Sequence, residues 1–191
     1  MDKESLEIIE RYVRDGAAAR ERFFAEKSRE LDRAARMIAS SLAAGGKLML
    51  CGNGGSAADA QHMAGEFVNR FLLDRRPLAA LALTTDSSVI SAIGNDFGYE
   101  QIFAKQILAL GNRGDVLLAI STSGNSPNIL QALAAAREKD MRSIGLTGGR
   151  GGAMAGQCDL LLNVEHACTP LVQETHLVAE HLLCLLCDHY L

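Results

Sequence analysis

The sequence predicts an α/β fold, with a doubly wound, flavodoxin-like five-stranded parallel sheet and an N-terminal helical extension. After residue 46, short apolar segments alternate with helical segments, and Gly-rich or polar turns separate them. This alternation is typical of parallel strands that are covered by helices on both faces. Before residue 45, apolar side chains recur at helical spacing with no strand between them, which indicates the helical extension.

Length and composition limit the classes that need to be considered. The chain has 191 residues, of which 48% are hydrophobic and 22% charged, so it can bury the core of one ordinary domain. We expect a single domain over 1–191, with helices in 1–45 and the α/β sandwich in 46–191. A formal net charge of -4 does not favour binding to nucleic acid.

The sequence indicates neither a membrane protein nor an oxidising compartment. No apolar run reaches about 18 residues, and the charged segment 1–16 lacks the apolar core of a signal peptide. The five cysteines are an odd number in a chain with an ample core, so we expect them to be reduced and the protein to be cytoplasmic.

The individual elements follow from the same periodicities. Segment 4–44 is helical, and Asp15 and Gly16 allow its division into two helices. Its apolar stripe needs a surface to pack against, and a partner subunit would provide one. The predicted strands are 47–51, 78–83, 116–120, 142–146 and 160–164, and the helices between and after them are 56–71, 87–93, 101–110, 126–139 and 173–190.

Two turns that join a strand to a helix are candidate ligand sites. They are 51–56, with the sequence CGNGGS, and 121–126, with the sequence STSGNS. Ligands of parallel sheets bind at the carboxyl ends of strands, where glycines admit the ligand and helix N–H groups donate to oxyanions. The hydroxyls of the second turn, beside a helix start with Pro127, suit a phosphate monoester. The alternative is an N-capping turn with additional serines.

The first turn also matches the dinucleotide pattern G-x-G-x-x-A through Gly52, Gly54 and Ala57. This alternative lacks support, because Asp74 falls in a polar turn and no acidic residue stands at a strand end about 20 positions later. The phosphate-loop pattern GxxxxGK[ST] is absent from the sequence.

A candidate metal or acid–base pair follows the first turn. His62 and Glu66 are four residues apart, which places them on one helix face about 6 Å apart along the axis. They could share a divalent cation or exchange protons, and the alternative is a solvated helix contact. The last helix carries five more polar groups, for which the alternative is a wet outer face: Gln173, Glu174, His176, Glu180 and His181.

Three smaller motifs are weaker candidates. Cys184 and Cys187 form a CxxC inside an apolar helix, and we interpret them as core packing rather than as a zinc or redox site. A loose metal-like pair, 166–168, lies in a loop. Asn95 and Asp96 are expected in a turn, where their side chains could hold sugar hydroxyls.

Four segments together resemble one family of sugar-phosphate enzymes. They are CGNGGSAADAQHMAGEF, AIGNDFGYE, GDVLLAISTSGNSPNI and the C-terminal QETH…EH. They are similar to the bacterial sedoheptulose-7-phosphate isomerases, or phosphoheptose isomerases, which belong to the sugar-isomerase (SIS) domain family. The similarity covers nearly the whole chain, including the N-terminal helices and the segment TGGRGGAMAG. Each motif alone indicates only a SIS domain, whereas the ordered set is more specific.

The resemblance implies an aldose–ketose isomerase that converts sedoheptulose 7-phosphate to D-glycero-D-manno-heptose 7-phosphate. This is the first step towards the ADP-heptose or GDP-heptose precursors of bacterial surface glycans such as lipopolysaccharide. It implies a homotetramer with active sites between subunits, one zinc ion per site, and Glu66 and His181 as the acid–base pair. The implied zinc ligands are His62, Glu66, Gln173 and His181. The implied substrate contacts are Asn53, Gly54, Gly55, Ser56, Glu66, Asn95, Asp96, Ser121, Thr122, Ser123, Ser126 and Gln173.

The chain departs from the family pattern at one place. Some members have an Asp a few residues before the glutamine, but this chain has no acid between His166 and Gln173, and Cys168 or Thr169 is expected to occupy that space. A role of that Asp therefore does not transfer to this chain.

Two rival functions require no acid–base pair. One is a non-catalytic SIS protein that binds a bacterial replication initiator, and the other is a regulator that senses a sugar phosphate. The carboxylate at Glu66 and the imidazole at His181 favour the enzyme over both rivals.

The expected chemistry is proton transfer through an enediolate. Glu66 would act as the carbon base, and the imidazole of His181 would move the oxygen protons, because a histidine side chain readily accepts and gives back a proton. A metal held by His62 would polarise the carbonyl. Because Glu66 cannot easily be a tight ligand and a free base at once, two hypotheses stay open: ligand exchange when substrate binds, or a base role for Glu66 when the metal is loosely held.

Overall fold

The fold is built on a parallel sheet, which a computed structural model describes together with the rest of residues 2–191. Its strands are β1 (Leu48–Gly52), β2 (Ala80–Ala82), β3 (Val116–Ser121), β4 (Arg142–Gly148) and β5 (Leu160–Val164). They lie in the order β2-β1-β3-β4-β5, and every neighbouring pair is parallel. This is the flavodoxin-like order, so the predicted fold class is confirmed.

Helices cover both faces of this sheet. Those of the described residues are α1 (Lys3–Ala43), α2 (Gly55–Val68), α3 (Ser87–Phe97), α4 (Ala104–Leu110), α5 (Pro127–Glu138) and α6 (Thr169–Tyr190), with short 3-10 turns at Tyr99–Gln101 and Gly152–Met154. Alternate residues of β1 enter different cores: Leu48 and Leu50 pack with α1, α2 and α6, while Met49 and Cys51 pack with α4 and α5. The alternation follows from the two-residue period of a strand.

The N-terminal extension is one helix, and the division at Asp15 and Gly16 does not occur. A Cβ at Gly16 would lie 3.3 Å from the side chain of Leu171, so the glycine lets α1 lie close against α6. Buried residues of α1 from Phe23 onward join the core, whereas five large apolar side chains before Gly16 are exposed. The exposed side chains are Leu6, Ile8, Ile9, Tyr12 and Val13.

Helix α3 is longer than predicted, and this corrects the placement of Asn95 and Asp96. Both lie inside the helix and not in a turn. The side chain of Asp86 caps the helix by accepting a hydrogen bond from Val89 N at 2.9 Å. The helix then continues until Gly98, whose φ of +91 is a conformation that favours glycine.

The state of the cysteines and the hydropathy of the helices agree with the predictions from the sequence. All five cysteines are free, and Cys184 and Cys187 are buried in the core, which confirms their interpretation as packing residues. Among the described residues, no helix combines the length and the apolar character needed to cross a bilayer.

Candidate active site

The two predicted loops lie side by side at one edge of the sheet. Strands β1 and β3 are parallel neighbours, and Gly52 is the ladder partner of Ile120. The loops therefore leave the sheet together, and each one leads into a helix N-terminus, that of α2 or that of α5. Backbone N–H groups at such ends, with the positive end of the helix dipole, favour an anion.

Glycines shape the first loop where a side chain would not fit. A Cβ at Gly52 would stand 2.3 Å from the carbonyl oxygen of Ser56. Gly54, with φ +55, forms the N-cap of α2. A Cβ at Gly55 would stand 2.5 Å from the side-chain nitrogen of Gln173. The absence of that Cβ brings Gln173 of α6 against the start of α2, so two of the predicted substrate contacts meet here.

The hydroxyls of the second loop converge. Ser121 Oγ lies 3.0 Å from Ser126 Oγ and 3.4 Å from Ser123 Oγ. Ser126 is the N-cap of α5, but its side chain makes no capping hydrogen bond. The hydroxyl of Ser126 is therefore not used to cap the helix. A cluster of hydroxyls beside helix N–H groups is suited to a phosphate oxyanion.

A Gly-rich segment, 148–154, supports this serine turn. Met154 N donates to the carbonyl of Gly124 at 3.0 Å, and Ala153 N donates to Oδ1 of Asn125 at 2.8 Å. Gly148 N donates to the carbonyl of Thr122 at 3.0 Å. These bonds fix both sides of the turn, and the sequence indicated no such role for the segment.

Three side chains of the predicted acid–base and metal set meet between α2 and α6. Nε2 of His62 lies 2.8 Å from Nε2 of His181, and Oε1 of Glu66 lies 3.8 Å from Nδ1 of His62. Because two imidazole lone pairs would repel at this distance, one of the two nitrogens carries a hydrogen and donates a hydrogen bond to the other. The side chains of His62 and Glu66 are 41% and 24% exposed, so a ligand can reach them.

Neighbouring groups hold this cluster in place. The ring of Phe71 stacks on His181 with centroids 5.3 Å apart. Arg75 donates to the carbonyls of Glu66 at 3.1 Å and Phe67 at 3.0 Å, which satisfies carbonyls at the C-terminal end of α2. Arg75 also pairs with Asp188 of α6 at 2.5 Å, so one side chain fixes the end of α2 against α6.

The donor set suits zinc by its chemistry, since imidazole nitrogens and carboxylate oxygens are common zinc ligands. The converging Nε2 atoms of His62 and His181 also suit it by position. Glu66, however, lies beside Nδ1, the nitrogen of His62 that is turned away from His181. Within residues 2–191, no three His, Cys, Asp or Glu side chains are arranged around one metal position. Zinc bound by both imidazoles would take the place of the hydrogen between the two Nε2 atoms, and Glu66 would have to turn to join them.

Asn95 and Asp96 are not brought to the loops by hydrogen bonds within the described chain. Nδ2 of Asn95 donates to Oδ1 of Asp96 at 2.7 Å, and both residues are exposed. Their helix, α3, follows β2 and precedes α4 in the sequence. A contact between these two residues and the substrate would therefore require a bound ligand or another subunit to reach α3.

Two polar residues of α6 are buried, so the interpretation of a wet outer face is wrong for them. His176 and Glu180 are both 0% exposed. Nε2 of His176 lies 2.9 Å from the carbonyl of Thr147 and donates to it. Burial, and then the nearby Asp59, raise the pKa of Glu180 to about 9, so this carboxyl is protonated at neutral pH.

The remaining polar groups around the start of α6 have structural contacts. Glu174 is exposed and accepts a hydrogen bond from Tyr12 of α1 at 2.6 Å. Cys168, the N-cap of α6, donates its backbone N–H to Nδ1 of His166 at 3.0 Å. Thr169 is exposed at the first position of the helix.

The two loops and the acid–base cluster lie at different positions along the axes of α2 and α6. Glu66 is eleven residues after Gly55, about 16 Å along the axis of α2. His181 is eight residues after Gln173, about 12 Å along α6. The phosphate-type loops are thus at the helix N-termini, and the acid–base cluster is two to three turns away from them.

A cleft of about 510 Å³ lies at the opposite, amino edge of the sheet, near the start of β4. Its lining includes Arg137, in the last turn of α5, where a cation complements the helix dipole. Because the predicted site residues do not line this cleft, we do not assign it as the active site.

Comparisons with known proteins show which family the chain belongs to. A family model described as "SIS domain" matches residues 11–148. The phosphoheptose isomerase of Desulfovibrio desulfuricans is 57% identical over 191 residues, which is 100% of this chain and 91% of the relative. That of Burkholderia pseudomallei is 60% identical over 150 residues, which is 78% of this chain and 76% of the relative. The chain belongs to the phosphoheptose isomerase family of SIS-domain proteins.

Solved phosphoheptose isomerase structures have the same fold. The enzyme from Neisseria gonorrhoeae matches with a TM-score of 0.92 and 43% identity, covering 96% of this chain and 98% of that one. The enzyme from Francisella tularensis matches with a TM-score of 0.94 and 41% identity, covering 97% and 98%. The resemblance to phosphoheptose isomerases that the motifs predicted is confirmed.

For a phosphoheptose isomerase, the structure adds residues near the site that sequence reasoning missed. Arg75 holds the end of α2, while Tyr99 and Asn128 contact Asn53 of the first loop. Asn128 alone had a signal in the sequence, as an amide in the first turn of the helix after the serines. Tyr99 falls within the segment AIGNDFGYE, but nothing in that segment relates its phenol to the first loop, and Arg75 had no signal.

Proposed function

We propose that this chain interconverts sedoheptulose 7-phosphate and D-glycero-D-manno-heptose 7-phosphate, the first step towards activated heptose for bacterial surface glycans. The observation that carries the proposal is 57% identity to a phosphoheptose isomerase over the full chain. The serine turn and the cluster of His62, Glu66 and His181 supply the two kinds of group that this reaction needs.

The substrate phosphate binds where the loops after β1 and β3 meet. The hydroxyls of Ser121, Ser123 and Ser126 and the N–H groups at the starts of α2 and α5 donate to its oxygens. Thr122 and the loop residues Asn53, Gly54, Gly55 and Ser56 line the same pocket. Binding energy from this remote group orients the sugar carbons, which lowers the entropic cost of the chemical step.

Glu66 and His181 perform the proton transfers. Glu66 removes a proton from C1 of the ketose to form an enediolate and returns the proton to C2. His181 meanwhile moves a proton from O1 to O2, so the aldose forms with no net gain or loss of protons. A carboxylate and an imidazole are suited to these steps, because each can accept a proton and then give it back.

Zinc is proposed as the cofactor, with His62, Glu66, Gln173 and His181 as the residues that would hold it. The side chain of Gln173 lies against Gly55, so it would have to turn to join the other three. When bound, zinc supplies a Lewis acid that polarises the carbonyl oxygen. The position of Glu66 beside Nδ1 of His62 supports the hypothesis in which Glu66 acts as a base apart from the metal. Metal content after dialysis checks the ligands, because His62→Ala should lose zinc whether or not substrate turns over.

We propose a homotetramer with the active sites between subunits. The exposed apolar side chains on the first part of α1 support self-association, since such a stripe is costly to leave in water. The separation of the loops from the acid–base cluster along α2 supports sites that combine residues from two subunits. Five free cysteines support a reducing compartment, the cytoplasm.

The deciding experiment is incubation of the purified protein with sedoheptulose 7-phosphate, with and without a chelator, followed by product analysis. Formation of the heptose 7-phosphate, and its loss with the chelator, is the expected result. Binding of the sugar phosphate without any product would instead favour the sugar-phosphate sensor. Failure both to bind it and to convert it would favour the initiator-binding protein.

A further inference from the structure

Two side-chain amides join the loops of the candidate site. Nδ2 of Asn128 donates to Oδ1 of Asn53 at 2.8 Å, and Nδ2 of Asn53 donates to Oδ1 of Asn128 at 2.9 Å. Asn128 is only 2% exposed, in the first turn of α5, and Asn53 lies in the loop before α2. The phenol of Tyr99 donates to the same Oδ1 of Asn53 at 3.2 Å.

This arrangement uses the acceptor capacity of Asn53. An amide oxygen has two lone pairs, and Asn128 and Tyr99 take both. A sugar hydroxyl therefore finds no free lone pair on Oδ1 of Asn53. The side chain of Asn53 fixes its loop, and the loop binds substrate through backbone N–H groups and the remaining side-chain N–H.

The amide pair also determines the position of the N-terminus of α2 relative to the N-terminus of α5. The ladder between β1 and β3 ends with Gly52 and Ile120, so it does not fix the chain beyond the sheet. The pair of Asn53 and Asn128 makes the connection further out, at the level where the anion would bind. Because Asn128 is buried, water competes poorly for its hydrogen bonds, which keeps the connection closed.

We propose that Asn128 is a positioning residue, which through its paired amide with Asn53 sets the spacing of the two helix N-termini that hold the substrate phosphate. The proposal rests on the proposed isomerase function and deepens it. Asn128 itself need not touch the sugar.

The test compares Asn128→Leu, which keeps the number and branching of the side-chain heavy atoms and removes the amide, with a matched control. The control is Gln106→Leu, because Gln106 is also a buried amide, 7% exposed, and donates to the carbonyls of Leu83 and Ile102 away from both loops. For Asn128→Leu we expect KM for the sugar phosphate, and Kd for inorganic phosphate measured by calorimetry, to rise about tenfold. Its kcat should stay within about twofold, because Glu66 and His181 are unchanged. The control should lower Tm and leave KM unchanged.

A double-mutant cycle separates positioning from a general structural role. In an Asn53→Ala background, Asn128→Leu should raise KM by less than about twofold more, because the partner is already lost. Two results would overturn the proposal: a tenfold rise in KM that is independent of Asn53, or an Asn128→Leu protein whose KM and phosphate Kd equal those of the wild type.

A milder variant decides the matter if Asn128→Leu does not fold. Tyr99→Phe removes only the third hydrogen bond to Asn53, from a residue that is 60% exposed. It should raise the phosphate Kd about two- to threefold in the wild type and not at all in Asn53→Ala. Equal effects in both backgrounds would refute the role of the pair. If the wild type turns over no sugar phosphate, the isomerase proposal fails, and the phosphate Kd values still decide the positioning role.

Discussion

Burial determines the protonation states of two side chains in α6, those of His176 and Glu180. His176 is fully buried, and burial lowers its pKa to about 4, although its hydrogen bond to the carbonyl of Thr147 acts in the opposite direction. In the unfolded chain, His176 has the ordinary histidine pKa of 6.5. Between these pH values the unfolded state holds more protons. The contribution of His176 to stability is therefore complete above pH 6.5 and is lost as the pH falls towards 4.

Replacing His176 by Gln should flatten part of this pH dependence. The amide nitrogen of the glutamine can still donate to Thr147 but does not titrate, so Tm should fall less between about pH 7 and pH 5 in the variant than in the wild type. The effect cannot exceed about 3 kcal/mol, the equivalent of the shift in pKa. Thermal unfolding at several pH values measures it.

Glu180 acts in the opposite direction and is present in both proteins. Its pKa is raised to about 9, so its contribution to stability is complete below the ordinary value of 4.5 and is lost as the pH rises towards 9. The difference between the two proteins therefore isolates His176. Equal falls in Tm for the wild type and His176→Gln would contradict the assignment.

The role of Glu66 is also a question about one residue. Glu66→Gln keeps the size and removes the base, so kcat should fall by about 100-fold or more while the affinity for substrate changes little. Glu138→Gln is the matched control, since Glu138 is an exposed helical carboxylate at the end of α5, at the opposite edge of the sheet. Turnover by Glu66→Gln close to that of the control would show that the base is another group.

At the scale of elements, helix boundaries depend on caps more than on periodicity. The sequence predicted α3 as 87–93, because Gly94 and the polar pair after it resemble a turn. The helix instead continues to Phe97, since Asp86 caps its start and a stopping glycine comes only at Gly98. Gly16 likewise does not break α1, because it packs against α6.

The ion pair of Arg75 and Asp188 connects two elements, and its loss should be costly. Their side chains are only 14% and 3% exposed. Arg75→Ala leaves Asp188 buried without its partner, and we expect it to lower the free energy of unfolding by about 3 kcal/mol. Arg75→Met with Asp188→Leu should recover part of this loss. Urea unfolding measures both.

An exposed ion pair provides the control for Arg75. Lys3 lies 3.7 Å from Glu7, and these side chains are 91% and 64% exposed. Lys3→Ala should change the free energy of unfolding by less than about 0.5 kcal/mol, because water screens such pairs. If Arg75→Ala cost no more than this, Arg75 would not be what fixes the end of α2.

At the scale of the whole molecule, the open question is which subunit supplies each part of the site. Ser123→Asp should block phosphate binding by like charge, and Glu66→Gln should block proton transfer. Neither protein alone should turn over substrate. If each site takes its loops from one subunit and Glu66 from another, oligomers assembled from equal amounts of both should recover up to about a quarter of wild-type activity.

The assembly experiment has a clear negative outcome. Each chain would carry a different affinity tag, so that mixed oligomers can be isolated by two purification steps and assayed directly. Activity that stays at the level of the single variants in these mixed oligomers would contradict sites shared between subunits. It would place the loops and Glu66 of each active site in one protomer.

The fold class, the two loops and the chemical types of the candidate residues could be predicted from the sequence. These depend on local patterns: the alternation of strands and helices, glycines at strand ends, and His62 and Glu66 four positions apart. Which distant groups meet could be seen only in the folded chain. Asn53 and Asn128 are 75 positions apart, and His62 and His181 are 119 apart, so no local pattern relates them. Their contacts arise because strand pairing and helix packing bring these segments together, and the same packing buries His176 and Glu180.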